Sequence, residues 1–219
     1  MLDPIVIRHV TGSVYSLHFP TQASLCGTML RFQEFYESPK FRGTVFTRQE
    51  FEEWYIQRTG KFTYLTDWSG FNFPSHVLKG FRDGTMGELS PMEKQVVDLV
   101  AYIPEPFYLI AIATDDSDSV GTLRHEIAHG LYATNADYRA EVLMHLEGAR
   151  LAPIHRLLYT AYHPSVWLDE CHAYVGMSYD YLQEKGALKP GELLETHLAL
   201  TSVFEFYVQN HSRLIHEFD

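Results

Sequence analysis

Between Pro104 and Thr114 the chain reads Phe107-Tyr108-Leu109-Ile110-Ala111-Ile112-Ala113. This short apolar run, rich in strand formers, predicts a buried strand. Directly after it, Asp115-Asp116-Ser117-Asp118-Ser119 offers side chains that cap a helix and places negative charge at its positive end. The helix expected there covers 119–133, with Val120, Leu123, Ile127 and Leu131 at helical spacing on its core face. Further helices are expected over 137–148, 153–160, 165–185 and 190–216. Pro153, Pro164 and Pro190 stand where such helices begin, and Gly186 where one ends.

Upstream the pattern is more broken. Thr47 caps an expected helix through Arg58, Glu50 completes a capping box, and Gly60 ends it. Its apolar positions Phe46, Phe51, Trp54 and Tyr55 share one face. The aromatic segment 61–74, interrupted by Asp67, Gly70 and Asn72, reads as irregular or hairpin-like. Ser90-Pro91 starts another helix, since Ser caps and Pro is tolerated at the first helical position. No repeat and no Pro/Gly/Ser linker divides the chain, so 1–219 is expected to form one domain. Within it, 1–103 is an aromatic-rich subregion of unassigned role, and 104–219 a strand followed by helices. The expected class is α+β, mainly helical, with a small sheet upstream of the 119–133 helix.

Composition narrows the function classes. A chain of 219 residues that is 46% hydrophobic can bury a sizeable core, and the aromatic residues (14 Tyr, 14 Phe, 3 Trp) are expected mainly to fill it. A net charge of -11 argues against an electrostatic grip on nucleic acid or an anionic membrane. Two cysteines, Cys26 and Cys171, are too few for a disulfide scaffold and favour a reducing compartment. The first ten residues lack an apolar leader, and no run of about 18 apolar residues occurs. A cytoplasmic protein is expected.

The chemistry is carried by His125-Glu126-Ile127-Ala128-His129. Two histidines four residues apart on a helix lie on one face, one turn apart, and can grip one ion. Zn2+ suits two neutral imidazoles. Glu126 can take a proton from a water that the metal has acidified. Gly130, costly in a helix by about 1 kcal/mol relative to Ala, signals close packing. A hydrolytic zinc site needs a third protein ligand and an open position. Asp169-Glu170-Cys171-His172 concentrates candidates in one expected helix, and Glu141 is a further one. Successive helical positions are about 100° apart, so the four cannot all face one ion.

On these residues the chain resembles the zincin metallopeptidases of the gluzincin type, in which a His-Glu-x-x-His helix is followed by a second helix whose glutamate completes the site. The resemblance covers mainly 107–181 and implies Glu170 as third ligand, ahead of His172, Asp169, Glu141 and Cys171. It also implies a peptide or protein substrate. Many gluzincins carry an Asp four residues after that glutamate, orienting the first histidine; here Tyr174 stands there, and the orienting role is expected to fall to its hydroxyl or to a backbone carbonyl. The metzincin variant is excluded by Asn135, where its third histidine belongs.

The implied reaction is peptide hydrolysis with Glu126 as general base, later passing the proton to the leaving nitrogen. Candidate donors to a developing oxyanion are Tyr132, Tyr138, Arg139, Tyr159, His163 and Tyr174. The 107–113 strand is expected to hold an extended peptide by edge addition. Two rivals are a non-proteolytic zinc-binding regulatory or interaction protein and a zinc hydrolase of a non-peptide amide. No Gly-x-Ser-x-Gly element supports a serine hydrolase. His145, His155, His197, His211 and His216 read as surface or packing residues.

Overall fold

The computed structural model describes residues 4–159 and 161–211, with side chains to 209. Four strands, β1 (Val6–Thr11), β2 (Val14–Phe19), β3 (Gly70–Pro74) and β4 (Tyr108–Ala113), form one mixed sheet in the order β1-β2-β4-β3. β1 and β2 form an antiparallel hairpin, and Gly12 supplies the positive φ of its tight turn. β2 runs parallel to β4, in register from Val14↔Tyr108 to Phe19↔Ala113, and β3 pairs antiparallel with β4. Eleven α-helices are present among the described residues: α1 (Gln22–Glu37), α2 (Arg48–Thr59), α3 (Tyr64–Asp67), α4 (Leu78–Arg82), α5 (Pro91–Leu99), α6 (Ser119–Thr134), α7 (Ala136–Leu146), α8 (Ala152–Leu158), α9 (Trp167–Met177), α10 (Tyr179–Glu184) and α11 (Leu194–His211). The fold is α+β and mainly helical.

β4 is buried along its whole length because the sheet is covered on both faces. Tyr108 and Ile110 join a core with Ile127 and Leu131 of α6, Val142 of α7 and Phe204 of α11. Leu109, Ala111 and Ala113 join a second core with Leu25 and Phe32 of α1, Phe51 of α2 and Phe81 of α4. The period-two alternation of one strand thus feeds two cores. Sheet and cores draw on both sides of residue 103: Val10 and Val14 lie in the α6 core, Phe107 in the α1 core. Among the described residues, no helix is long and apolar enough to cross a membrane.

Several local expectations hold. Capping boxes start α2 at Thr47/Glu50 and α5 at Ser90/Glu93, with Pro91 in the first turn of α5, and Gly60 closes α2 in the left-handed conformation. Asp118 caps α6 by accepting from Gly121 N–H. Gly130 meets β2 so closely that a Cβ there would lie 2.7 Å from Val14 Cγ1.

Other expectations are corrected. The segment 61–74 is neither irregular nor a local hairpin: it holds α3, and β3 pairs with the distant β4. The helix expected over 165–185 is a 3-10 turn (Pro164–Val166), α9 and α10, with a break at Ser178. The final helix begins at Leu194 and not at 190, because a turn with Leu193 at φ 59° intervenes. Val120 is 53% exposed, so the apolar face of α6 rests on Ile127, Ala128 and Leu131. The expected extension of the last helix to 216, with His216, falls outside the described residues.

The strand at 108–113 is central. β2 and β4 pair on one side and β3 and β4 on the other, so the edge addition expected there has no free edge to use. The edge beside α6 belongs to β3, where Asn72 N–H already donates to Gln33 Oε1 of α1 at 3.0 Å.

Candidate metal centre

His125 and His129 project from α6 toward α9, which supplies Glu170; the ligand atoms of these three lie within 4.8 Å of one another. The two Nε2 atoms are 3.2 Å apart. Two nitrogens bound to one tetrahedral zinc at about 2.0–2.1 Å stand about 3.3 Å apart, so the spacing matches shared coordination. Glu170 Oε1 is 3.8 Å from His129 Nε2, and Glu170 Oε2 is buried without a hydrogen-bond partner. Between them lies a free volume of about 20 Å³, room for one water molecule or ion. Donor set, spacing and the orphaned carboxylate oxygen all fit a divalent cation.

Each imidazole is held by its other nitrogen, which leaves Nε2 facing the void. His129 Nδ1 donates to Asp169 Oδ1 at 2.9 Å, and His125 Nδ1 is 3.0 Å from Ser178 Oγ, at the break that follows α9. Asp169 is therefore an orienting residue. Burial lowers the His129 pKa, but the carboxylates of Asp169 and Glu170 outweigh it and raise it to about 10. Burial, reinforced by the neighbouring His129, pushes His125 well below its ordinary value. The Glu170 carboxyl is pushed up to about 8, chiefly by burial.

Glu126 enters from the sheet side. Asn72 Nδ2 on β3 donates to its Oε2 at 2.8 Å, and the Tyr108 hydroxyl on β4 donates to Asn72 Oδ1. Gly70 passes so close that a Cβ there would stand 2.7 Å from Glu126 Cδ. Burial raises the Glu126 carboxyl to about 7, suited to a group that gains and loses a proton near neutrality.

The other third-ligand candidates lie elsewhere. His172 Nδ1 donates to the Asp169 carbonyl while Nε2 meets the Tyr138 hydroxyl; Cys171 is in the core; Glu141 accepts from the Tyr207 hydroxyl. Among the proposed oxyanion donors, Tyr174 alone lines the site, its ring 4.9 Å from that of His125. Tyr132 stacks on His172, Tyr138 is buried against it, Arg139 is spent on the Tyr132 and Ala133 carbonyls, Tyr159 stacks on Trp167, and His163 caps the Pro164 turn.

The chain matches no protein-family model, no curated protein and no solved structure.

Several further residues of the site carry no local signal in the sequence. Tyr162 places its hydroxyl 3.3 Å from that of Tyr174 and against the Glu170 carboxylate, lining both the ion-sized recess and the cleft above it. Glu34 and Glu37 of α1 also line the recess, and His163 N–H ties that region to the Glu37 carbonyl at 2.8 Å. Burial raises Glu34 to about 7, and burial with the nearby Glu170 charge raises Glu37 well above the usual range. The cleft has a free volume of about 450 Å³ and reaches His125 and Glu126 past Trp68, Gly70 and Tyr174. His197, expected to be ordinary, lines it while donating to the Val175 carbonyl and stacking on Tyr179. The pairing Ser90/Glu93 style of local signal does not exist for Tyr162 or Glu37, so only the tertiary fold brings them in.

Proposed function

We propose that the protein is a zinc-dependent metallopeptidase, with His125, His129 and Glu170 as metal ligands and Glu126 as general base. The observation that carries this reading is the 3.2 Å separation of the two histidine Nε2 atoms beside a buried carboxylate oxygen that has no partner. Bound there, zinc would supply Lewis-acid chemistry, polarising a carbonyl and acidifying a water. Glu126, held by Asn72, accepts the proton of the attacking water and returns it to the leaving nitrogen. Tyr174 and Tyr162, whose hydroxyls lie 3.3 Å apart at the cleft, would be the donors to the carbonyl oxygen as charge develops. The open cleft favours a chain-like substrate over a small enclosed amide. Two free, buried cysteines support a reducing, cytoplasmic setting.

Metal analysis of protein purified without added zinc tests the centre. About one zinc per chain is expected in the parent, with loss in both His129→Ala and Glu170→Ala. Glu126→Gln should keep the metal and lose hydrolysis of casein or a quenched fluorescent peptide. A parent protein without metal, or full activity in Glu126→Gln, overturns the reading.

A further inference from the structure

The cleft and the recess below it form one continuous depression, since Trp68, Gly70, His125, Glu126 and Tyr162 line both. Its charge is one-sided. The cleft walls carry Asp67, Asp116, Asp118 and Asp180, and the recess carries Glu34, Glu37, Glu126 and Glu170. Among the described residues neither part is lined by Lys or Arg. At the floor Glu170, only 2% exposed, ends in an oxygen without a partner, the position of the proposed metal. One divalent ion answers Glu170 and its neighbour Glu126. The four aspartates of the walls lie beyond it, and three of them accept hydrogen bonds: Asp67 from Tyr55 and Thr63, Asp116 from Thr122, Asp118 from Gly121 N–H. Asp180 is exposed. Between these carboxylates stand the rings of Trp68 and Tyr174, surfaces that attract a cation through their π faces, and Tyr181, stacked on Tyr174, already holds Lys185 Nζ over its ring at 5.2 Å.

We propose, on the peptidase reading, that the substrates are polypeptides with Lys or Arg flanking the bond to be cut, their cationic groups seated on the aspartates and rings of the cleft walls. Carboxylates around a low-dielectric cleft concentrate positive ligands and repel acidic ones.

The test uses three fluorescein-labelled octapeptides of one sequence, in which both residues flanking the central bond are Lys, norleucine or Glu. Binding to zinc-loaded protein carrying Glu126→Gln is followed by anisotropy, so that turnover does not intervene. The Lys peptide should bind about tenfold more tightly than the norleucine peptide and the Glu peptide more weakly still, with the gap closing as salt shortens the Debye length to about 3 Å at 1 M. Asp118→Asn and Asp180→Asn, which keep side-chain shape and the cap of α6, should shrink the gap. Cleavage by the zinc-loaded parent is measured separately. A binding preference without cleavage removes the peptidase reading and sustains the cationic cleft; cleavage without preference does the reverse. Equal binding of the Lys and norleucine peptides, or tightest binding of the Glu peptide, overturns the proposal.

Discussion

On the proposed reading, replacing Gly70 by Ala separates the general base from the metal. A Cβ at Gly70 would lie 2.7 Å from Glu126 Cδ and 2.8 Å from Cγ, and the nearest atoms to it all belong to Glu126. Ordinary carbon contacts begin near 3.4 Å, so the carboxylate must retreat by roughly 1 Å, giving up the bond from Asn72 that now holds it at 2.8 Å. A misplacement of about 1 Å in a catalytic group costs about 10²-fold, and the whole contribution of a general base is about 10²–10⁴-fold. Gly70→Ala should therefore lose about 10²-fold in kcat/KM, approaching the loss in Glu126→Gln, while zinc per chain stays unchanged. Overpacking costs about 1–3 kcal/mol of stability, which a thermal melt detects independently. Gly27→Ala in α1 is the control, because its Cβ meets nothing closer than Arg48 at 3.8 Å; activity should be unaltered. If Gly70→Ala binds zinc and cleaves as fast as the parent, Glu126 is not the base. If it loses zinc in step with activity, base and metal are not separable as described.

Further predictions concern the supports of the site. Asp169→Asn removes the charge that faces His129 Nδ1 and should weaken zinc binding about 10–100-fold in a competition titration with a chromogenic chelator; unchanged affinity would remove Asp169 from its orienting role. Zinc binding should also tighten with rising pH. In the metal-free protein the pKa values of His129 and Glu170 are both raised, so each keeps its proton to higher pH than usual, the metal must displace protons, and the fraction ready to bind grows as pH rises. Calorimetry in buffers of different ionisation enthalpy should record proton release at pH 7, and its absence refutes the assignment. Gly130→Ala drives a methyl to within 2.7 Å of Val14 Cγ1; the expected cost of about 1–3 kcal/mol corresponds to a fall of several degrees in Tm, at about 2–4 °C per kcal/mol.

The elements that were legible in the sequence are those whose signals are local. The capping residues of α2, α5 and α6 and the apolar run of β4 each announce themselves within a few residues. His125, Glu126 and His129 were legible for the same reason, since one helical turn sets their relation. α1 was not. Its buried positions include Arg31, Gln33, Glu34 and Glu37, so no clean apolar stripe marks it, and Arg31 is paid for by Glu93 of α5 at 2.7 Å, a partner 62 residues away. β3 was hidden because Gly70 and Asn72, which read as turn residues, serve Glu126 and not a turn. β4 announced a strand but not its position in the sheet; periodicity is silent on which neighbours a strand takes.

The parallel pairing of β2 with β4 also joins segments far apart in the chain. Thr114 N–H bonds to the Phe19 carbonyl across 95 residues of sequence, and Asn72 reaches Glu126 across 54. Contacts of such separation demand closure of long loops before they repay it, which makes folding slow relative to a bundle of local helices. During synthesis, α6 leaves the ribosome after its sheet partners, but α9, with Glu170 and Asp169, comes later still. The two histidines are therefore exposed as a bidentate pair before their third partner exists. On the proposed zinc reading, a nascent chain would meet metal first as a weak, incomplete chelator and would close the centre only when α9 docks.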